Sequence, residues 1–526
     1  MIKVRQVKVS INNNDDKHIL NKLSNILGVD TKDITSYKIN RRSIDARDKK
    51  NILYIYEFIV DVLDEEGVLK TTSSKDILKY EEVHKDFNIT GTKQISNRPI
   101  VIGFGPSGMF LSYYLAKYGY KPLVLERGDE ISKRVEKVQS FWETGKLDEN
   151  TNVQFGEGGA GTFSDGKLNT LVKDKGNIQE EIFKIFVECG ADESIMYDYK
   201  PHIGTDTLRK VTKNLREKIV SLGGEVHFNS KLTDIIIDND KVKEIVVNDK
   251  ETIPCENLFL CLGHSARDTL LMLNKKGIKM MPKPFAVGIR IIHEEKKITN
   301  SMFGTNKLGP ASYKLTHTTK DGRGVYSFCM CPGGYVVNAS SINGHLSING
   351  MSNFKRDSLY SNSAIVCSIS PKDYGENLFD GMNFQSELER KAYSLANGLI
   401  PIELYKDYKD NKEGKETFKT HAGIKGKFKF SNVNEIFPDY INETIKEGIE
   451  TFGTKIKGFN DDDAIILGVE SRTSSPVKIE RNDLGESNIS GIYPVGEGAG
   501  YAGGITTSAM DGVKTFEKFI KIYKPM

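Results

Sequence analysis

Apolar side chains in the first 92 residues recur with two different periods. Ile2–Ile11 has them at every second position, which predicts a strand, and Asp15–Leu27 has them at helical spacing, which predicts a helix. The same patterns predict two further strands and a second helix at Ile34–Ile44, Ile52–Leu63 and Ser74–Tyr80. With a last extended piece, this order of elements predicts a ferredoxin-like α+β domain over residues 1–92.

After residue 92 the pattern changes twice. Residues 93–280 alternate buried strands with helices, beginning with Pro99–Gly103 and Gly108–Tyr118, and this alternation favours a parallel sheet. From 281 to 465, strands follow one another across glycine and asparagine turns, as in a mainly antiparallel sheet. Residues 466–526 return to the first pattern. The sequence therefore predicts an α/β protein in which a mainly antiparallel β domain, expected to bind the substrate, is inserted into a Rossmann-like domain.

Composition excludes several classes of protein. The 526 residues carry 74 Lys and Arg against 71 Asp and Glu, and a net charge of +3 creates no strong field for nucleic acid or membrane. Six cysteines are too few for a disulfide scaffold, and no apolar run approaches the ~18 residues of a membrane span. We therefore expect a cytoplasmic protein with a small-molecule substrate, no membrane association and no nucleic-acid partner.

A dinucleotide-binding signature, Gly103-x-Gly105-x-x-Gly108, joins the first strand of the second region to a helix. Gly103 permits the tight turn, Gly105 lets the backbone approach a pyrophosphate, and Gly108 lets the helix pack closely on the strand. The turn itself is completed by Pro106 and Ser107. The helix then directs its unpaired N–H groups and positive dipole end at the phosphates.

Two charged residues follow the second strand of this region. Glu126 lies 18 residues after Gly108, where a carboxylate accepts hydrogen bonds from both hydroxyls of an adenosine ribose. Arg127 has two interpretations: it stacks on the adenine, or it is simply solvated.

A second glycine-rich motif near the C-terminus distinguishes FAD from a nicotinamide cofactor. Gly496-Glu497 follows a strand and is expected at the pyrophosphate and ribitol, and Gly503, Gly504, Ile505 and Thr506 open the last helix against the flavin ring. Flavoproteins of the glutathione-reductase type return to the cofactor in this way, so we predict FAD. Further contacts are expected from the glycine-rich loop after Phe155 and from the end of a buried strand, at Gly158, Gly159, Gly161, Thr162 and Gly263. No second dinucleotide signature follows, so NAD(P)H is expected only as a transient reductant.

Catalytic residues are less well defined. In an extended strand Cys329 and Cys331 would point to one face, which leaves three interpretations: a redox pair, a wall of the substrate site, or plain packing. Arg472 either clamps a substrate anion or forms an internal pair with Glu470. His264 and His421 are each read as a proton donor or as a structural histidine. No Cys/His cluster has metal spacing, and no metal is expected.

Several segments together carry a resemblance to a known family: RRSIDARDKK from Arg41, FGEGGAGTFSDGKLNT from Phe155, SFCMCPGG from Ser327, GVESRTSSPVKIER from Gly468, and PVGEGAGYAGGITTSAMDG from Pro494. Over nearly the whole chain the sequence resembles the bacterial FAD-dependent dehydrogenases, also called NAD(FAD)-utilising dehydrogenases, within the two-dinucleotide-binding-type flavoproteins. The resemblance implies FAD, a flavin domain with an inserted substrate domain, and a ferredoxin-like N-terminal module. It supplies no substrate. Where the wider superfamily has Gly-Asp, this sequence has Gly496-Glu497.

Two functions are consistent with these observations. The first is an FAD-dependent oxidoreductase that transfers a hydride between a small organic substrate and FAD. The alternative is a flavin-binding protein that acts mainly as an RNA- or protein-binding module through residues 1–92, which include the basic stretch Arg41–Lys50. Residues 1–98 carry 18 Lys and Arg against 15 Asp and Glu, a small excess for binding nucleic acid. The chain is expected to divide into residues 1–92, 93–280, 281–465 and 466–526.

Overall fold

The computed structural model of the protein describes residues 1–82, 85–170, 172, 174, 176–415 and 423–526. The first elements are β1 (Ile2–Ser10), α1 (Asp16–Leu27), β2 (Ile34–Asp45), β3 (Leu53–Val62), α2 (Glu65–Thr71) and β4 (Ile77–Lys79). Their strands form an antiparallel sheet in the order β2-β3-β1-β4, and the apolar face of α1 packs on it.

The helix predicted at Ser74–Tyr80 is wrong. The second helix, α2, begins earlier, where the Asp64 side chain accepts the N–H of Gly67, and residues 77–79 form β4 instead. In that strand Ile77 is buried opposite Val4 of β1. Pairing with the sheet edge therefore overrides the local helical pattern.

The second group of elements contributes four strands to a parallel sheet. It comprises β5 (Lys93–Gln94), β6 (Ile100–Ile102), α3 (Pro106–Lys117), β7 (Leu123–Leu125), α4 (Ile131–Thr144), α5 (Ile178–Glu188), α6 (Thr205–Ser221), β8 (Glu225–His227), β9 (Leu232–Asp238), β10 (Lys241–Val247), β11 (Glu251–Pro254), β12 (Leu258–Leu260) and α7 (Arg267–Lys275). Strands β12, β6, β7 and β8 lie side by side and parallel, and β9–β11 form a separate antiparallel sheet.

The third group is mainly antiparallel. It comprises β13 (Met280–Pro282), β14 (Phe285–Glu294), α8 (Glu295–Phe303), β15 (Thr316–Thr318), β16 (Gly324–Cys331), β17 (Tyr335–Asn338), β18 (Ile348–Met351), β19 (Tyr360–Ile369), α9 (Pro371–Tyr374), α10 (Asp380–Leu395), β20 (Ile400–Leu404), α11 (Tyr405–Asp410), β21 (Ile424–Lys425), β22 (Phe428–Phe430), α12 (Asp439–Lys455) and β23 (Ile465–Glu470). A seven-stranded sheet in the order β15-β16-β19-β14-β23-β20-β22 encloses its own core with α10 and α12.

The end of the chain returns to the parallel sheet. The last elements are β24 (Val477–Ile479), β25 (Ile492–Pro494), α13 (Ile505–Phe519) and β26 (Tyr523–Lys524). Strand β25 pairs in parallel with β12, and α13 packs beside α3 and α5 in one core. The two glycine-rich motifs, some 390 residues apart in sequence, therefore follow strands of one sheet. Among the described residues, every helix is too short or too polar to cross a membrane.

Candidate active site

A cavity of about 940 Å³ lies where the parallel sheet meets the seven-stranded sheet. This volume is at the upper end of the range for ligand pockets. The predicted cofactor residues that line it are Gly103, Gly105, Pro106, Ser107, Glu126, Arg127, Gly159, Gly161, Gly263, Glu497, Gly503, Gly504 and Ile505. The predicted residues outside its lining are Gly108, Gly158, Thr162, Gly496 and Thr506. Both glycine motifs thus reach one space.

The three glycines of the first motif have different surroundings. A Cβ on Gly103, whose φ is +96°, would lie 2.6 Å from the carbonyl oxygen of Cys261, and one on Gly108 would lie 2.0 Å from that of Gly103. Both positions exclude a side chain because backbone is in the way. A Cβ on Gly105 would meet only the Cα of Gly159, at 3.7 Å. Gly105 is therefore open toward the cavity, at the N-terminus of α3, as a phosphate-binding turn requires.

Glu126 is held rigidly at the end of β7. Its carboxylate is buried and accepts N–H groups from Phe104 at 2.8 Å and from Gly128 and Gly156 at 3.0 Å each. Two carboxylate oxygens offer about four acceptor positions, so capacity remains on the cavity side. The fixed orientation suits recognition of ribose hydroxyls.

Arg127 is not solvated, so the solvated alternative is wrong. Its guanidinium donates to both carboxylate oxygens of Asp268, at 3.1 and 3.0 Å, and lies over the ring of Phe155. Burial opposes ionisation of Asp268, but Arg127 and Lys231 outweigh it and lower the pKa of that carboxyl. Arg127 thus stiffens the cavity wall beside Glu126.

The loop after Phe155 is organised by Arg134, which the sequence pattern did not mark. Arg134 lies on α4, is wholly buried, and donates to four loop carbonyls, those of residues 152, 153, 156 and 157. Gly159 and Gly161 then face the cavity. Gly158 and Thr162 lie behind it: the Gly158 N–H bonds to the Phe104 carbonyl, and the Thr162 carbonyl accepts the Thr205 hydroxyl.

The C-terminal motif is braced from outside the cavity. Asp511 of α13 accepts the Gly496 N–H at 2.8 Å and pairs with Arg481. Glu497 turns into the cavity, and burial raises its pKa to about 7. A Cβ on Gly503 or Gly504 would meet nothing within 4 Å. The N-terminus of α13 therefore faces open space in the cavity.

The two cysteines of β16 interact through their side chains but differ in their access to the cavity. The strand is irregular between Phe328 and Cys331, and Cys329 has a φ of +42°. Cys329 lines the cavity, whereas Cys331 is fully buried outside its lining and donates its thiol to the Cys329 carbonyl at 3.3 Å. A hydrogen bond from Cys331 and the nearby cations Arg290 and Lys167 hold the pKa of Cys329 well below its usual range.

The predicted pair of Arg472 with Glu470 is also wrong. Strand β23 ends at Glu470, which pairs with Arg290 at 2.7 Å. Arg472 lies beyond the strand end and donates to both oxygens of Glu389, at 2.9 and 3.0 Å, and to two serine hydroxyls. Glu389 is fully buried and binds Arg267 in the same way. Arg472 lines the cavity with most of its N–H groups already engaged.

Of the two candidate histidines, only His264 lies among the described residues. His264 lines the cavity, and burial, with Arg472 and Arg267 nearby, lowers its pKa to about 3. It is therefore neutral at physiological pH. His421 lies outside the described residues. Among the described residues, no group of three or more Cys, His, Asp or Glu side chains could hold a metal ion.

Sequence comparisons give one full-length relative. A protein of Clostridium beijerinckii named "Uncharacterized protein" is 44% identical over 533 residues, covering 99% of this chain and 98% of its own. The profile of a family described as "FAD-dependent protein, C-terminal domain-like" matches residues 284–473, and that of a domain of unknown function matches residues 1–61.

Solved structures resemble the chain only distantly. Glycerol-3-phosphate dehydrogenase from Bacillus halodurans, complexed with FAD, has a TM-score of 0.34 and 12% identity over 83% of this chain and 67% of its own. Glycine oxidase from Bacillus cereus has a TM-score of 0.32 and 11% identity over 81% of this chain and 95% of its own.

Proposed function

We propose that this chain, which belongs to one family with the Clostridium beijerinckii protein, is an FAD-dependent oxidoreductase that transfers a hydride between a small organic substrate and FAD. The cofactor is FAD. One observation carries the proposal: the open glycines of both motifs and the carboxylates of Glu126 and Glu497 line a single cavity that continues to β16.

Each part of the cavity has a task suited to its chemistry. Glu126 would bind the adenosine ribose, and the N-terminus of α3 beside Gly105 would bind the pyrophosphate. Glu497 would contact the ribitol chain. The N-terminus of α13, after Gly504, would stabilise negative charge at the edge of the ring. When bound, the flavin supplies the hydride chemistry, and the protein supplies binding, orientation and electrostatics.

We further propose how the chain is divided. The order of elements and the sheet order β2-β3-β1-β4 support a ferredoxin-like module over residues 1–92. The parallel sheet draws its strands from within 93–280 and 466–526, which supports an inserted domain between them. That domain should extend past residue 465, since β23 belongs to the seven-stranded sheet. The alternative function, RNA or protein binding through the module, has no support in the comparisons.

We also propose how a nicotinamide reductant would bind and in which compartment the protein works. NAD(P)H, if it is the reductant, would dock transiently, since the described residues contain one parallel sheet that ends in a dinucleotide turn. The six cysteines are free thiols, which supports a reducing compartment such as the cytoplasm.

Cofactor release and anaerobic reduction test the proposal. The purified protein should be yellow, and heat-released cofactor should run as FAD on chromatography. NADH, NADPH or a member of a metabolite panel should then bleach the flavin without oxygen. FMN in place of FAD, or a protein that purifies without flavin and fails to bind added FAD, would contradict the assignment.

A further inference from the structure

We propose that the part of the cavity lined by Lys167, Lys200 and Arg356 binds the carboxylate of the substrate, so that the enzyme acts on an organic acid. The inference deepens the proposed function and rests on it. None of these three residues belongs to the glycine motifs, and together with Asp165 they place three cations against one anion in one region of the cavity.

Lys167 is the central group. Its Nζ is shielded from solvent and forms an ion pair with Asp165 Oδ2 at 3.0 Å, and the described residues offer its other N–H groups no acceptor. Burial disfavours its charge, yet Asp165 outweighs burial and raises the pKa of Lys167, so the group is an ammonium ion. A desolvated ammonium with unused N–H donors is costly unless a ligand accepts from it. The side chain of Lys167 lines the cavity in which such a ligand would lie.

Asp165 is shared between Lys167 and Arg356. It is buried, accepts two N–H groups from Arg356 at 3.1 and 2.7 Å, and accepts the hydroxyl of Ser352. The guanidinium of Arg356 thereby fixes the carboxylate and adds a second positive charge. One carboxylate cannot neutralise both cations, so this side of the cavity carries an excess of positive charge.

Lys200 adds a third cation from another segment. Its Nζ donates to the carbonyl and the hydroxyl of Ser312, at 3.0 Å each. Partial burial and the repulsion of Arg356 and Lys167 lower its pKa. Three cations, Lys167, Lys200 and Arg356, line this part of the cavity together with the single carboxylate of Asp165. The net charge of these four groups stays positive even if the thiol of Cys329 is counted as a thiolate. An anionic ligand would relieve this repulsion, whereas a neutral one would not.

The donor set favours a carboxylate over a phosphate group. Bidentate recognition of phosphate uses a free guanidinium fork, whereas lysine binds either a phosphate or a carboxylate as a point charge. Here the fork of Arg356 is committed to Asp165, and the available donors are the point charges of two lysines. A carboxylate of one negative charge matches the surplus that remains.

Ligand binding to the FAD-loaded protein tests the inference. At constant ionic strength, acetate and malonate would be titrated against acetamide, malonamide and inorganic phosphate, with the visible flavin spectrum and equilibrium dialysis as readouts. We expect saturable binding of the carboxylates and none of the amides. Lys167→Gln and Lys200→Gln should each weaken carboxylate binding ~10-fold, equivalent to about 1.4 kcal/mol.

Controls separate charge from folding. Lys167→Arg should retain binding within a few-fold, and Lys250→Gln, which changes an exposed lysine between β10 and β11, should change nothing. Equal binding of amides, stronger binding of phosphate, or unchanged affinity in both glutamine variants would overturn the inference while leaving the flavin assignment intact. A protein without FAD would instead overturn the proposed function.

Discussion

Two glycines three residues apart should respond oppositely to the same methyl group. Gly105→Ala places its Cβ 3.7 Å from the nearest atom, the Cα of Gly159, which is ordinary van der Waals contact. Gly105 also has a φ of −82°, which alanine adopts without strain. The variant should therefore fold normally, with its apoprotein stabilised by about 0.4–1 kcal/mol because the unfolded chain loses freedom.

The same methyl group would project toward the path proposed for the pyrophosphate. Forcing an extra methyl into a filled site costs about 1–3 kcal/mol. At 1.4 kcal/mol per tenfold change, Gly105→Ala should weaken FAD binding by about 5-fold to about 140-fold. Gly108→Ala differs: its Cβ would lie 2.0 Å from the Gly103 oxygen, and the helix must move by about 1 Å to reach even the shortest tolerated contact. It should destabilise the apoprotein by about 3 kcal/mol.

Both quantities can be measured on the same preparations. Urea unfolding of the apoproteins, followed by circular dichroism, gives the change in the free energy of unfolding. Titration with FAD, followed by flavin fluorescence, gives the affinity. Wild-type FAD affinity in Gly105→Ala would show that the pyrophosphate does not pass this glycine. A Gly108→Ala apoprotein as stable as the wild type would refute the packing argument.

Two further predictions concern buried charges and thiols. Glu389→Gln removes the negative charge shared by Arg267 and Arg472 and should cost about 3–5 kcal/mol in urea unfolding at pH 7. The pKa of Glu389 is lowered by the two arginines despite burial, so its stabilisation is complete above an unfolded pKa of about 4.3 and is lost as pH falls below it. The difference between wild type and variant should therefore shrink in acid, and a loss below 1 kcal/mol at pH 7 would contradict the assignment. Iodoacetamide should modify Cys329 before Cys331 in peptide mass spectrometry, because Cys329 lines the cavity and has a lowered pKa, whereas Cys331 is buried outside the lining; preferential labelling of Cys331 would refute this.

The backbone geometry of the two glycine motifs was predictable because each motif is local. Gly103, Gly105 and Gly108 follow a strand and open a helix within a few residues, and their backbone surroundings follow from that connection alone. The second motif needed only the assumption that β25 returns to the same sheet, which its pairing with β12 fulfils.

The errors came from features that alternation along a strand does not encode. Cys329 and Cys331 were both expected to reach the substrate site, but the irregularity in β16 interrupts the two-residue repeat, and of the two only Cys329 lines the cavity. Arg472 was paired with Glu470 because the two are near in sequence, whereas its partner Glu389 is 83 residues away on an amphipathic helix. A buried acid on such a helix has no signature of its own.

The substrate part of the cavity is the least predictable for the same reason. Its cations come from a loop after the first glycine motif, a segment before α6 and a turn before β19, while Asn40 and Arg41 of the N-terminal unit also line the cavity. The ion pair between Arg42 and Asp198, at 2.7 Å, fixes that unit against the segment that carries Lys200. Because four distant stretches each contribute only a few polar side chains, no spacing in the sequence records the site. Its positive charge arises only when the fold brings them together, in a protein whose net charge of +3 shows no such asymmetry.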